Sequence, residues 1–245
     1  MIETRLMSQI ETILIFFFLN LFLLLSFDKI RLFQLVVDSP DKLRKFHKKP
    51  TALAGGIILM INISLYYLIF YFSNTQILNE IIFDNKIELS LFVSTCLFIF
   101  LLGLFDDKFT LRPLIKFFIS FLIITFFIYF NQSIKIETVN ISFLGKIIFL
   151  KNYSYFFTIF CFLVFLNAFN MFDGINLQAS SYSLIIFSYF LFLTQTSLFI
   201  YMSLIFILTF MYLNFCNKSF LGDGGSLLIS FIISFIFIKL FNEGV

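Results

Sequence analysis

Long apolar runs separated by short polar clusters dominate the sequence. Eight of these runs approach or reach the ~20 residues that an α-helix needs to cross ~30 Å of hydrocarbon. We expect helices at about 10–28, 53–73, 88–105, 113–131, 153–170, 180–195, 197–215 and 226–241. The pattern predicts an all-α, polytopic transmembrane helix bundle of about eight spans, with residues 1–245 forming a single integral-membrane domain.

Basic residues set the orientation that we expect. They concentrate in the connections after the first, third, fifth and seventh predicted helices, above all between Lys29 and Lys49. The positive-inside rule places these connections in the cytoplasm. Residues 134–150 fall on the opposite face, and apolar and polar residues alternate there. Because that period is typical of strands, this connection is compatible with a small periplasmic hairpin after the fourth helix.

The composition agrees with a membrane protein. Hydrophobic residues make up 60% of the 245 positions, with 42 Phe and no Trp, which lies beyond the range of soluble globular proteins. The formal net charge of +3 gives no reason to expect nucleic acid as a partner. Cys96, Cys161 and Cys216 are isolated and lack the spacing of disulfide or zinc sites, which favours structural roles.

The aspartates are distributed unevenly between the two faces. Acidic residues have little influence on topology, so their placement needs another explanation. Short carboxylates gathered with basic residues at one membrane face suit a site for a metal ion and phosphate. On the cytoplasmic face we expect Asp28, Asp38, Asp41, Asp106, Asp107, Asp173 and Asp223, whereas Asp84 and every glutamate fall on the other face.

The first cytoplasmic connection is the most basic part of the chain. It contains Arg44, Lys45 and His47, the only histidine, so a His-rich metal site is excluded. The connection is either an ordinary basic cytoplasmic loop or a dock for an anionic substrate or lipid phosphate.

Asp106 and Asp107 form an adjacent carboxylate pair at the end of the third predicted helix. An unpaired carboxylate is costly next to hydrocarbon and next to a like charge. Pro113 suits the first turn of the fourth helix, which places Lys116 about one turn in. The pair is either two solvated loop residues with nearby charge balance, or part of a site that holds a cation or a substrate.

Two further clusters complete this face. Asn167, Asn170 and Asp173 recur at three-residue spacing, either to bind a ligand or to hydrogen-bond a neighbouring helix. The glycine-rich stretch 222–226 opens the eighth helix with Ser226 as the expected cap, which is typical of an anion site, and Asp223 beside it can hold a divalent cation. A flexible turn is the alternative. Together the four clusters suit phosphoryl transfer with Mg²⁺.

In this order, the four clusters resemble the motifs of glycosyltransferase family 4, the polyprenyl-phosphate N-acetylhexosamine-1-phosphate transferases. The resemblance covers roughly residues 35–235. It is nearer to undecaprenyl-phosphate GlcNAc-1-phosphate transferases than to phospho-N-acetylmuramoyl-pentapeptide transferases. It rests on Asp38-x-Pro40, Arg44-Lys45-x-His47, Gly55-Gly56, Asp106-Asp107 with Leu111 and Lys116, Asn167-x-x-Asn170-x-x-Asp173-Gly174, and Gly222-Asp223-x-Gly225-Ser226.

The resemblance implies a phosphotransferase that moves an N-acetylhexosamine-1-phosphate from a UDP-sugar to undecaprenyl phosphate, releases UMP and starts a cell-envelope glycan such as a lipopolysaccharide chain. It implies Mg²⁺, or Mn²⁺ in its place, and a multi-pass protein of the bacterial inner membrane whose active site faces the cytoplasm. It leaves a homodimer open. Asp223 would be the metal ligand and Asp106 and Asp107 would be catalytic. The substrates would be bound by Arg44, Lys45, His47, Lys116, Asn170, Asp173, Asn176, Gly222 and Ser226.

Two features depart from the family pattern. Asn176-Leu177 stands where the family commonly has a second Asp-Gly, a change expected to alter the choice of sugar or nucleotide. Family members also usually continue beyond the eighth helix into further helices and a His-rich cytoplasmic loop, whereas this sequence stops at Val245. The alternative expectation is therefore a catalytically inactive or incomplete relative that binds polyprenyl phosphate or scaffolds glycan assembly. A small transporter is disfavoured, because transporters carry their polar residues near the bilayer midplane.

Overall fold

The computed structural model describes residues 2–38, 50–72, 82–141 and 145–244. Each of the eight predicted helices is present in these ranges, and the predicted all-α polytopic bundle is confirmed. Seven of the helices are long and apolar enough to cross a membrane, and the sixth, with 17 residues, is slightly shorter. The helices are α1 (Ile2–Ser26), α2 (Gly55–Phe72), α3 (Lys86–Phe109), α4 (Pro113–Phe130), α5 (Ser154–Phe172), α6 (Gln178–Thr194), α7 (Leu198–Phe215) and α8 (Gly222–Glu243).

The helix α8 is the centre of the bundle. In its most apolar stretch 89% of the residues are buried, against 22% in α4, whose remaining surface is free to face lipid. It packs against α2, α3 and α5, and its contact with α3 is the most extensive in the molecule. We call the end of the bundle where α3 finishes and α8 begins the carboxylate end.

Glycines allow the backbones of α3 and α8 to touch at the carboxylate end. A Cβ atom on Gly103 would lie 2.5 Å from the carbonyl oxygen of Asp223 and from the Cα of Gly224. No side chain fits at such a distance, so only glycine permits this contact. Small residues at helix contacts are typical of membrane bundles, since lipid provides little hydrophobic drive for helices to associate.

Two small sheets flank the bundle. Antiparallel strands β3 (Thr138–Ile141) and β4 (Lys146–Phe149) form the predicted hairpin after the fourth helix. The other sheet, at the carboxylate end, is unexpected from the sequence. Its strands β1 (Val37–Asp38), β2 (Thr51–Leu53) and β5 (Ser219–Phe220) join in that order, with β1–β2 antiparallel and β2–β5 parallel. It ties the connection between α1 and α2 to the residues that immediately precede α8.

A buried ionic network holds α3 and α8 together at the opposite end. The ammonium of Lys239 on α8 lies 3.1 Å from Oε1 and from Oε2 of Glu88 on α3, and 2.7 Å from the half-exposed carboxylate of Asp84. Lys239 and Glu88 are nearly inaccessible to solvent. Asn131 and Ser133 donate further hydrogen bonds to Glu88. The network therefore satisfies a buried charge pair that hydropathy alone does not reveal.

We expect Gly103→Ala to destabilise the bundle by ~1–3 kcal/mol, the usual cost of overpacking. The added methyl group must push α3 away from α8. Thermal unfolding in detergent measures the effect, with Gly174→Ala as the control, because a Cβ on Gly174 would meet only the Met171 carbonyl oxygen at 4.0 Å. Equal stability of the two variants would contradict the close helix contact.

We expect Lys239→Met to cost ~3–5 kcal/mol, because it leaves the Glu88 carboxylate buried without a counter-charge. The double variant Lys239→Met/Glu88→Gln removes both charges and keeps an oxygen that Asn131 can donate to. It should therefore be more stable than Lys239→Met alone. Thermal unfolding compares the melting temperatures of the two variants. A double variant less stable than the single one would contradict the pairing.

Candidate functional site

Asp106 and Asp107 lie inside a helix and not in a loop. The hydropathy pattern predicts an end of the third helix near residue 105, whereas α3 continues to Phe109. Successive side chains on a helix point about 100° apart. The two neighbouring carboxylates therefore face different elements: Asp106 contacts α4, and Asp107 contacts α8.

The Asp107 carboxylate caps the start of α8. Its Oδ1 accepts the backbone N–H of Asp223 at 2.8 Å, and its Oδ2 accepts that of Gly224 at 3.0 Å. A negative charge is favourable at a helix N-terminus, where backbone N–H groups lack partners within the helix. Gly222 contributes only backbone to this corner. Its φ of 72° is in the left-handed region, and a Cβ there would lie 2.8 Å from Oδ2 of Asp107.

This geometry corrects the prediction for the start of α8. Ser226 is not the helix cap, because α8 begins at Gly222 and Ser226 lies one turn inside it. The expected anion site also differs, since two of the N–H groups that would bind a phosphate already bind the carboxylate of Asp107. The prediction failed because a cap supplied by another helix leaves no signal in the local sequence.

Lys116 joins the carboxylates of two helices. Its ammonium lies 2.6 Å from Oδ2 of Asp106 and 3.1 Å from Oδ2 of Asp223. The side chain of Asp106 is 9% exposed and that of Asp223 is 33% exposed. The other oxygen of Asp106 accepts the N–H of Leu111 at 2.7 Å, which fixes the turn between α3 and α4. As predicted, α4 begins at Pro113, and Lys116 lies about one turn in.

Asn170 links this pair of carboxylates to α5. Its Nδ2 donates to Oδ1 of Asp223 at 3.0 Å, while its Oδ1 accepts from the ammonium of Lys116 and from the hydroxyl of Ser226, both at 3.1 Å. The nitrogen of the Asn170 amide faces an acceptor and its oxygen faces two donors. These contacts therefore fix the orientation of the amide. Four helices thus contribute to one connected polar group, which we call the carboxylate cluster: Asp106, Asp107, Lys116, Asn170, Asp223 and Ser226.

Asp173 lies beside this cluster at the end of α5. Burial raises its pKa to about 7, and repulsion from Asp107 adds to the shift. Its carboxylate makes no hydrogen bond or ion pair with the residues that the structure describes. A partly buried carboxylate without a partner is costly for the fold, and a bound cation or hydrogen-bond donor would relieve that cost.

The other predicted substrate-binding residues either take no part in the hydrogen bonds of the cluster or lie beyond the described residues. Asn176 donates to Asn217 at 2.7 Å on the exposed surface of the carboxylate end. Arg44, Lys45 and His47 lie outside the described residues.

Asn214 is a polar residue at the carboxylate end that the sequence analysis missed. It is buried, accepts the N–H of Leu177 and donates to the carbonyl of Ser219, so it joins the start of α6 to β5. An isolated amide in an apolar helix was the available signal. It lies just ahead of α8 and supports the turn that leads into the cluster.

The cluster fits a magnesium ion that is shared with a substrate. In the described ranges, no three Asp, Glu, His or Cys side chains come together as a protein-only metal site. Mg²⁺, however, is typically bound through one or two carboxylates together with substrate phosphates and water. Asp223 suits that role, because its carboxylate is the more exposed of the two that contact Lys116. Oxygen donors of this kind suit Mg²⁺, Mn²⁺ or Ca²⁺ better than metals that prefer thiolate or imidazole ligands.

We expect Asp173→Asn to stabilise the cation-free protein increasingly as pH rises. The raised pKa means that folded Asp173 holds its proton up to about pH 7, whereas the unfolded chain loses it near pH 4. The wild-type protein therefore loses stability from about pH 4 to pH 7, and the asparagine variant does not. The variant's advantage in melting temperature should reach at least ~2–4 °C at pH 8.

Melting curves between pH 4.5 and pH 8 test this expectation. The control is Asp28→Asn, which removes the same charge from an exposed position at the carboxylate end. A stability difference for Asp173→Asn that does not change with pH would show that its carboxylate is not held in a costly environment.

The sequence also matches a known protein family. The profile of Glycosyl transferase family 4 matches residues 89–241, which is more than half of the chain and includes every member of the carboxylate cluster. No curated protein gives a significant match. The chain therefore belongs to glycosyltransferase family 4, whose members are phosphosugar transferases.

Proposed function

We propose that the protein transfers an N-acetylhexosamine-1-phosphate from a UDP-sugar to undecaprenyl phosphate with the help of Mg²⁺. An oxygen of the lipid phosphate forms a bond to the β-phosphorus of the UDP-sugar. The bond between that phosphorus and the bridging oxygen breaks, and UMP leaves with the oxygen. The product is a lipid-linked sugar diphosphate that starts a cell-envelope glycan.

One observation carries the proposal: the carboxylate cluster brings polar side chains from α3, α4, α5 and α8 to one end of a membrane bundle. Ionisable groups next to hydrocarbon are costly in free energy and must be paired, so their presence among membrane spans usually indicates a functional site. Phosphoryl transfer requires mainly positioning and charge neutralisation, and the cluster offers groups for both.

Each group has a task in this proposal. A magnesium ion held by Asp223 would neutralise charge on the diphosphate of the donor. Lys116 and Asn170, which have N–H donors, would bind phosphate oxygens. Asp107 would keep Asp223 in place through its hydrogen bonds to the start of α8. Asp106 would orient Lys116, with which it makes the shortest ion pair of the cluster.

The location of the cluster suits a lipid acceptor and a soluble donor. Phe105, Phe109 and Leu114 expose apolar side chains next to it, on α3 and α4. A polyprenyl chain could lie against such a surface with its phosphate at the carboxylate end. We propose that this end faces the cytoplasm of a bacterial cell, because the positive-inside rule favours that orientation and UDP-sugars are made there.

We expect Asp223→Asn and Asp107→Asn to reduce UMP release by at least ~100-fold, the usual effect of removing one electrostatic contact from a transfer site. Asp223→Asn weakens cation binding. Asp107→Asn replaces one accepting oxygen with an N–H₂ group, which cannot accept an N–H of α8. The measurement is UMP release by purified protein from UDP-GlcNAc and UDP-GalNAc with undecaprenyl phosphate and Mg²⁺.

The exposed Asp28→Asn variant is the matched control and should keep wild-type activity. Full activity of both cluster variants would remove the mechanism. If the wild-type protein binds UDP-sugar or lipid phosphate but releases no UMP with any cation, the inactive-relative alternative is correct instead.

A further inference from the structure

Lys116 supplies the positive charge that holds the carboxylate cluster together. Its ammonium contacts Asp106 at 2.6 Å, Asp223 at 3.1 Å and the amide oxygen of Asn170 at 3.1 Å. An ammonium has three N–H donors, and these three contacts use all of them. Lys116 therefore cannot donate to a phosphate unless it first releases one of its present partners.

Of the two carboxylates that contact Lys116, Asp223 is the one that can exchange more readily. Its ion pair with Lys116 is longer than that of Asp106, and its side chain is 33% exposed, against 9% for Asp106. Water and solutes can reach Asp223 from outside the bundle. Asp106 is also held by the N–H of Leu111, so it is the fixed anchor of the ammonium.

The contacts of Asp223 show which group a cation must displace from its carboxylate. Its Oδ1 accepts from Asn170 and its Oδ2 accepts from Lys116. A cation that binds Oδ2 must displace the ammonium, because two positive charges at that distance repel each other strongly. The ammonium and a divalent cation therefore compete for one oxygen atom.

We propose that Lys116 occupies the place of the divalent cation at Asp223 until a diphosphate arrives. The phosphate oxygens of the diphosphate then give the ammonium a new partner, and Asp223 becomes free for the cation. This makes cation binding weak in the absence of a diphosphate and stronger in its presence, with a reciprocal effect on diphosphate affinity. The inference rests on the proposed function, which assigns the cation to Asp223.

The test is a titration of the purified, nucleotide-free protein with Mn²⁺, in which bound and free ion are distinguished by electron paramagnetic resonance. Lys116→Met removes the ammonium and adds no oxygen ligand, so it should bind Mn²⁺ at least ~10-fold more tightly than the wild-type protein. Lys116→Arg keeps the charge and should not. Lys108→Met removes a charge from the exposed end of α3 and should leave the affinity nearly unchanged.

The outcomes separate this inference from the proposed function. If the wild-type protein binds no Mn²⁺ even with UDP-GlcNAc present, beyond what the nucleotide binds alone, the cation site itself is wrong and both ideas fail. If the wild-type protein binds Mn²⁺ but Lys116→Met binds it no more tightly, only the competition is refuted. An equal gain in Lys108→Met would also refute it, because the effect would then be one of overall charge.

A measurement on the wild-type protein covers the case in which Lys116→Met does not fold. Acetylation of lysine side chains by a water-soluble reagent, read by mass spectrometry, reports whether each ammonium is engaged. The labelling of Lys116 is compared between protein without added cation or nucleotide and protein with Mg²⁺ alone. Mg²⁺ alone at high concentration should increase it, with Lys108 as the internal reference. Labelling of Lys116 that does not respond to Mg²⁺ alone would overturn the proposal.

Discussion

The hydrogen bonds from the start of α8 to the carboxylate of Asp107 are the contact on which the rest of the site depends. They join the last turn of α3 to the first turn of the most buried helix in the bundle. Because Asp223 is itself one of the two residues whose N–H groups are bound, this contact fixes its backbone, and Lys116 and Asn170 then orient its carboxylate. The cap of α8 and the proposed catalytic site therefore share the backbone of Asp223.

Two contacts of different kinds set how α3 lies along α8. At the carboxylate end, Gly103 lets the two backbones meet, and at the opposite end Lys239 and Glu88 form a buried ion pair. Apolar side chains between them pack well in several registers, whereas a buried ion pair and a glycine contact each tolerate only one. The register brings Asp107 within reach of the N–H groups of α8.

Some carboxylates of the cluster are fully hydrogen-bonded, whereas Asp223 is open to exchange of its ammonium partner. Asp106 and Asp107 are held through both of their oxygen atoms, so they are rigid. Asp223 shares its ammonium with a deeper partner, and Asp173 beside it has no partner among the described residues. Negative charge is thus in excess where the cluster opens to solvent. That imbalance is unfavourable for the fold alone and favourable for a site that receives a cation with a phosphate.

Hydropathy and residue spacing were enough to predict the eight helices, the hairpin after the fourth helix, and the shared end of the bundle at which the polar residues of α3, α5 and α8 lie. These follow from hydropathy and residue spacing, which act over neighbouring residues. The folded chain was needed to show that Asp107 caps α8 and Ser226 does not, that α3 extends past the aspartate pair, and that Lys239 is buried against Glu88. Each of these depends on the rotation and register of helices far apart in the chain. Packing at positions such as Gly103 sets them, and no local pattern of residues encodes them.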